Sequence, residues 1–417
     1  MTMDPVKLSI CIPTYNRSAF LRRALEFYQK NIDFPFTYEI VISDNASTDD
    51  TRDVVDEFTR GGLPIRYFRR QTNGGIEPNA HSAFRHARGD YAIYTADDDR
   101  LIMDGIRSAI AYLEQHPEVS ACYAPWYLHN EVEGTDGPTF YRMDENIQFA
   151  RRNFPGVFAL LMARHVFPEI AIYRSSAMRS ATIPTRLCYS PFAHLAHFLD
   201  LGDVAFLKTP FYRAIIQTII ARDRQQLGHE EVLDSWDKYR GGLEYFLYVA
   251  AKRGTIELGG QQGQQYHNQM REFTCARMVV AIRMWLARHD YLRAYELYAR
   301  VAFNGFGNHP ELEPLKGVMR RMVALQTLAW MANAAAGIDR VVLHKMTNVA
   351  PLEATLRSLG LREDIMVVSD TEGYTAGEIL KAAVLVPGDP DRESYVDRGF
   401  IPNLVFREVD LAGWVLV

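Results

Sequence analysis

YAIYTADDDRL, residues 91–101, sets an apolar run of strand character directly before three consecutive carboxylates. Adjacent carboxylates repel one another, so a fold tolerates them best where they are solvated or where a cation offsets the repulsion. The run is the fourth of its kind: LSICI (8–12), YEIVIS (38–43) and IRYF (65–68) precede it, with amphipathic stretches between. Short β-branched runs alternating with helical patterns predict a βαβα order and a mostly parallel sheet with right-handed crossovers. In the first helical stretch Phe20, Leu21, Ala24, Leu25 and Tyr28 share one face while Arg22, Arg23 and Glu26 point away, as a helix covering a sheet requires.

In an open parallel sheet the ligand crevice lies beyond the carboxyl ends of the strands. The residues there are polar: Pro13, Thr14, Tyr15, Asn16 and Arg17 after the first strand, Asp44 and Asn45 after the second, Arg70, Asn73 and Gly74 after the third, and Asp97, Asp98 and Asp99 after the fourth. Together they offer a ring for stacking, carboxylates and amides for sugar hydroxyls, and arginines for phosphate. Mg²⁺ or Mn²⁺ takes oxygen ligands, commonly one or two carboxylates plus the phosphates of a nucleotide. Asp97 and Asp99 are the expected metal pair. Taken singly, STDDT (47–51) also reads as a helix cap and NGG (73–75) as a turn.

The chain has 417 residues, net charge −5 and 48% hydrophobic residues, enough for two or three domains. Its mild acidity and scattered Lys and Arg argue against a nucleic-acid partner. Cys11, Cys122, Cys188 and Cys275 lie far apart with no pair at metal-ligand spacing, which reads as reduced thiols in a cytoplasmic protein. No secretory signal precedes VKLSICIP, and the apolar stretch 322–336 is too short to span a bilayer.

LSICIPTYNR (8–17), YEIVISDNASTDDT (38–51), TNGGIEPNAHSAFRHARGDYAIYTADDD (72–99) and PFYR (210–213) together resemble family 2 glycosyltransferases with the GT-A fold, over roughly residues 6–220. The resemblance implies a nucleotide-diphosphate sugar donor, Mg²⁺ or Mn²⁺, inversion at the anomeric carbon, and a glycan, lipid-linked or protein acceptor. It implies that Thr14 and Tyr15 lie against the base, that Asp44 contacts base or ribose, that ADDD is the DXD motif, and that Gly89 is structural. It also implies an acidic pair at the start of an acceptor-side helix, but Ser190–Pro191 stands there. His194, with Glu169 as the carboxylate alternative, is the expected catalytic base. His229 is a further expected metal ligand, and Arg222 and Arg224 suit the diphosphate.

The expected architecture is α/β: a GT-A-type mostly parallel sheet with flanking helices over 1–222, a helical domain over 223–337 and a small α/β module over 338–417. The last rests on runs at 341–344, 365–370, 382–387 and 404–411 that read as strands, and it lacks a glycine-rich phosphate loop, so docking or oligomerisation is its default role. Lys316, Arg320 and Arg321 beside Met319, Met322, Leu325 and Trp330 form an amphipathic stripe that reads either as core or as a peripheral contact with an anionic membrane. Two other classes remain: a sugar nucleotidyltransferase, which CIPTYNR does not favour because it lacks a glycine-rich loop and lysine, and a non-catalytic nucleotide-binding scaffold, supported by the absent acidic pair.

Overall fold

The computed structural model describes residues 5–181, 187–220, 233–370 and 373–417. Contacts divide the chain into two units, residues 1–230 with 237–273, and residues 231–236 with 274–417. The helical stretch expected over 223–337 is thus shared: 237–273 goes with the first unit and 274 onward with the C-terminal strands.

In the first unit β1 (Leu8–Thr14), α1 (Ser18–Asn31), β2 (Tyr38–Asp44), α2 (Thr51–Arg60), β3 (Ile65–Arg69), α3 (Ile76–His86) and β4 (Tyr91–Tyr94) follow in the expected order. Then come β5 (Arg100–Leu101), α4 (Met103–Gln115), β6 (Val119–Tyr123), β7 (Tyr127–Asn130), β8 (Thr135–Thr139), β9 (Ile147–Phe149), α5 (Phe154–Arg164), β10 (Ala171–Arg174), α6 (Ser175–Ala181), α7 (Ser190–Leu201), β11 (Asp203–Phe206) and β12 (Tyr212–Gln217). The main sheet has the order β3-β2-β1-β4-β10-β6-β11-β9. Its first four strands are parallel, whereas β10 runs antiparallel to both neighbours. This is the α/β arrangement, a sheet with a parallel first half and flanking helices, that the strand and helix patterns predict.

The central strands are buried on both faces, which explains why they read as continuous apolar runs rather than alternating ones. Leu21, Ala24, Leu25 and Tyr28 of α1 are buried, as its amphipathic pattern predicts. A second sheet, β5-β12-β7-β8, stands beside the main one. Its entry is tightly packed: a methyl group on Gly105 of α4 would sit 2.2 Å from the Pro210 carbonyl oxygen and 2.7 Å from the Phe211 Cα. Gly89 is comparably confined, with the Ser9 backbone nitrogen 2.8 Å from where a Cβ would lie.

In the second unit a four-stranded parallel sheet, β14-β13-β15-β16, is built from β13 (Arg340–Leu343), β14 (Met366–Ser369), β15 (Ala382–Val386) and β16 (Val405–Arg407). The strand expected over 404–411 ends early: Glu408–Ala412 is helical, started by Asp410, whose side chain accepts from the Arg407 backbone N–H at 2.8 Å. Helices Tyr291–Phe303 and Glu313–Ala334 share a core with this sheet. Met319 and Leu325, members of the stripe at 316–330, are buried in that core, whereas Trp330 is exposed. Among the described residues no helix is long and apolar enough to cross a membrane.

Candidate functional site

Because β3, β2, β1 and β4 are adjacent and parallel, their carboxyl ends meet along one edge. Beyond β1, Thr14 Oγ1 donates to Asp97 Oδ2 at 2.7 Å and Arg17 Nε donates to Asp97 Oδ1 at 2.8 Å. The same guanidinium donates from Nη2 to Asp98. An arginine therefore offsets part of the repulsion within the acidic triplet. Tyr15, at the same strand end, is 41% exposed, and Pro13 lies beside Ser43 in the sheet register.

Beyond β2, Asp44 is buried; its Oδ1 accepts from the Ser47 backbone at 2.8 Å and its Oδ2 from the Tyr67 hydroxyl. Asn45 ties this end to the next, donating to Asn73 Oδ1 at 2.7 Å and accepting from the Gly74 backbone at 3.0 Å. The NGG tripeptide is thus a turn pinned to the strand end. Gly75, at φ 88, needs its glycine there. Arg70 lies against Gly74, where a Cβ would meet its Nη2 at 2.5 Å, and its buried Nη1 has no hydrogen-bond partner among the described residues. Unpartnered buried donors are costly.

Asp99 turns toward the second sheet instead. Its Oδ2 accepts from the Tyr212 hydroxyl at 2.7 Å and its Oδ1 from the Ile215 backbone at 2.8 Å. Burial pushes its carboxyl from 3.8 up to about 6, against the Ile215 and Tyr212 hydrogen bonds. A raised folded-state value means that ionising Asp99 opposes folding. This penalty is absent below about pH 4, grows as pH rises toward 6, and is complete above it. Asp99→Asn is therefore expected to unfold at a higher temperature than the parent at pH 7, by about 3 kcal/mol of stability, with the gap closing by pH 4. A constant gap across thermal melts from pH 4 to 8 would contradict this assignment.

Near the same edge Ser190, at the start of α7, donates its hydroxyl to Glu77 Oε1 at 2.8 Å. The rings of His81 and His194 stand edge to face, their centroids 5.8 Å apart. Glu169 is half-buried, its backbone N–H donating to Phe167. The Tyr94 phenol at the end of β4 is raised, first by burial and then by the charges of Asp99, Asp97, Glu77 and Glu169. Glu77 escapes a reading of the sequence because its partner lies 113 positions away. Glu131, also missed, follows β7 and accepts from Arg23 at 2.6 Å, from Arg100, and from the Thr218 hydroxyl at 2.7 Å. His229, Arg222 and Arg224 lie outside the described residues.

Among the described residues no three His, Cys, Asp or Glu side chains are grouped to hold a metal ion. Asp97 and Asp99 nonetheless match the donor chemistry of Mg²⁺ or Mn²⁺, which needs only one or two carboxylates when phosphates and waters complete the shell.

Residues 9–166 match the family model described as Glycosyl transferase family 2. The chain is 35% identical over 116 residues to the abequosyltransferase RfbV of Salmonella typhimurium, a match covering 28% of this chain and 35% of that protein. It is 32% identical over 206 residues to the uncharacterized protein Mb1547 of Mycobacterium bovis, covering 48% of this chain and 56% of the relative. The chain thus spans between about a third and about half of the length of these curated relatives. Among solved structures, TarS of S. aureus in complex with UDP aligns at TM-score 0.43 and 17% identity, over 75% of this chain and 92% of that one. The mannosyltransferase PcManGT from Pyrobaculum calidifontis, in complex with GDP-Man and Mn²⁺, aligns at TM-score 0.43 and 16% identity, over 86% of each chain. The resemblance to family 2 glycosyltransferases is borne out over the matched residues.

Proposed function

We propose that the first unit, whose residues 9–166 match glycosyl transferase family 2, is a glycosyltransferase that moves one sugar from a nucleotide-diphosphate sugar to an acceptor hydroxyl or comparable nucleophile. The observation that carries this reading is the meeting of Thr14, Arg17, Asp44, Asn45, Arg70 and Asp97 at the ends of four adjacent parallel strands. In it Tyr15 and Asp44 take the base and ribose, and Arg70 with the Asn73–Gly74 backbone faces the diphosphate. Asp97 and Asp99, with His229 from outside the described residues, would hold a divalent cation. Bound there, the cation would act as a Lewis acid on the departing diphosphate. Arg17 already carries positive charge to Asp97 and to the neighbouring Asp98, so the chain itself supplies part of the electrostatic balance. Inversion is proposed on the family resemblance alone.

The scaffold alternative drew its support from the missing acidic pair at Ser190–Pro191. A carboxylate, Glu77, stands beside Ser190 in space, which supports the transferase reading over the scaffold.

Calorimetric titration of the intact chain with UDP, GDP, CDP and dTDP, each with and without Mn²⁺, tests the reading. One nucleotide is expected to bind, more tightly with the metal. Failure of all four under both conditions would leave the scaffold in front.

A further inference from the structure

Transfer to a hydroxyl requires that its proton leave as the new bond forms, so the site needs a base within reach of the incoming oxygen. We propose that Glu77 is that base, an assignment that rests on the transfer reading above. Glu77 lies in the first turn of α3, directly after the Asn73–Gly75 turn. One of its oxygens accepts from Ser190, and the other makes no hydrogen bond among the described residues. The carboxylate is therefore oriented by one oxygen and open at the other, the arrangement a positioned proton acceptor requires.

The facing helices repeat the pairing. Glu77 and His81 are four apart on α3, Ser190 and His194 four apart on α7, and residues at that spacing share a helix face. Glu77 meets Ser190 and His81 meets His194, so the two helices present a two-rung polar ladder at the sheet edge. Glu77 forms the rung at the start of both helices, next to the turn that Asn45 pins to β2, while the histidine rung lies one turn farther along each.

The acceptor oxygen attacks the anomeric carbon, and the bond from that carbon to the diphosphate oxygen breaks. Its electron pair leaves with the nucleoside diphosphate, and the acceptor proton passes to the Glu77 carboxylate. Ser190 is a positioning residue that holds the carboxylate through its hydroxyl.

The experiment measures nucleoside diphosphate release from UDP-glucose, UDP-GlcNAc, GDP-mannose and dTDP-glucose, with water standing in for the acceptor, in the parent, Glu77→Gln, Glu77→Asp and His194→Ala chains. Calorimetric binding of the matching nucleotide is run alongside. Glu77→Gln keeps an oxygen for Ser190 but cannot take a proton, so release is expected to fall by about 10²–10⁴-fold with nucleotide affinity retained. Glu77→Asp is expected to recover part of the rate. Glu77→Gln turnover equal to the parent overturns the assignment, as does a loss of nucleotide binding together with turnover, which would make Glu77 a prop of the turn. A parent that binds nucleotide but whose rate collapses only in His194→Ala overturns it in favour of the imidazole. A parent that neither binds nor turns over any donor overturns the transfer reading itself, and the assignment with it.

Discussion

Asp97→Ala is expected to lower kcat/KM by on the order of 10²–10³ or more and to weaken nucleotide binding in parallel, because the group it removes serves two structures at once. Asp97 receives the Thr14 hydroxyl on one oxygen and the Arg17 guanidinium on the other, so it joins the ends of β1 and β4. Its loss removes this side-chain tie between them and leaves the Arg17 head group held by Asp98 and by the ring of Phe20. Asp97→Asn separates the two contributions. The amide oxygen can still accept a hydrogen bond while the charge is gone, so a near-parental melting temperature with collapsed turnover locates the effect in charge. Parental nucleotide affinity in both variants, read by calorimetry, would remove Asp97 from the site.

Glu131→Ala is expected to cost about 1–3 kcal/mol of stability in the first unit, because it removes the shared acceptor of three partly buried donors. Glu131 is nearly buried and gathers Arg23 from α1, Arg100 from β5 and Thr218 just past β12. Burial pushes its carboxyl up, but hydrogen bonds from Arg23 and Thr218 and the charges of Arg100 and Arg23 outweigh that and hold it below the usual carboxylate range. A lowered folded-state value contributes stability above the ordinary titration range and loses it as pH falls through the lowered value. Parent and variant should therefore differ most at neutral pH and converge in acid. Denaturant melts at pH 7 and pH 3 check this, and a pH-independent difference would point to packing rather than charge.

Much of the first half was legible because its signals are local. Ile10, Ile40 and Ile93 on one face of the sheet and Cys11, Val41 and Ala92 on the other are all buried, so the runs around them declare themselves without reference to distant chain. The polar strand ends followed from the same reading, since parallel topology obliges them to meet. The short strands β7, β8 and β9 were not legible: Thr135–Thr139 reads TDGPT, with no apolar alternation, and it pairs only because β7 offers an edge. The Arg17–Asp97 and Ser190–Glu77 contacts join residues 80 and 113 positions apart, beyond any periodicity. The sequence reading therefore assigned the repulsion among three carboxylates to a metal, where the fold also supplies a guanidinium. At the C-terminus, 404–411 has the composition of a strand, but the side chain of Asp410 closes a helix start on the Arg407 amide and converts its second half.

The tether on Asp99 bears on how the chain acquires its site. The hydroxyl of Tyr212 and the amide of Ile215 that hold this carboxylate lie 113 and 116 positions downstream of it. On a ribosome adding about 5–20 residues per second, the acidic loop emerges several seconds before the strand that fixes its third member. Until then the three charges have neither that backing nor the β5–β12 pairing, and loop closure of such length is slow compared with local helix formation. The backing of Asp99 is thus a late step in the formation of the first unit.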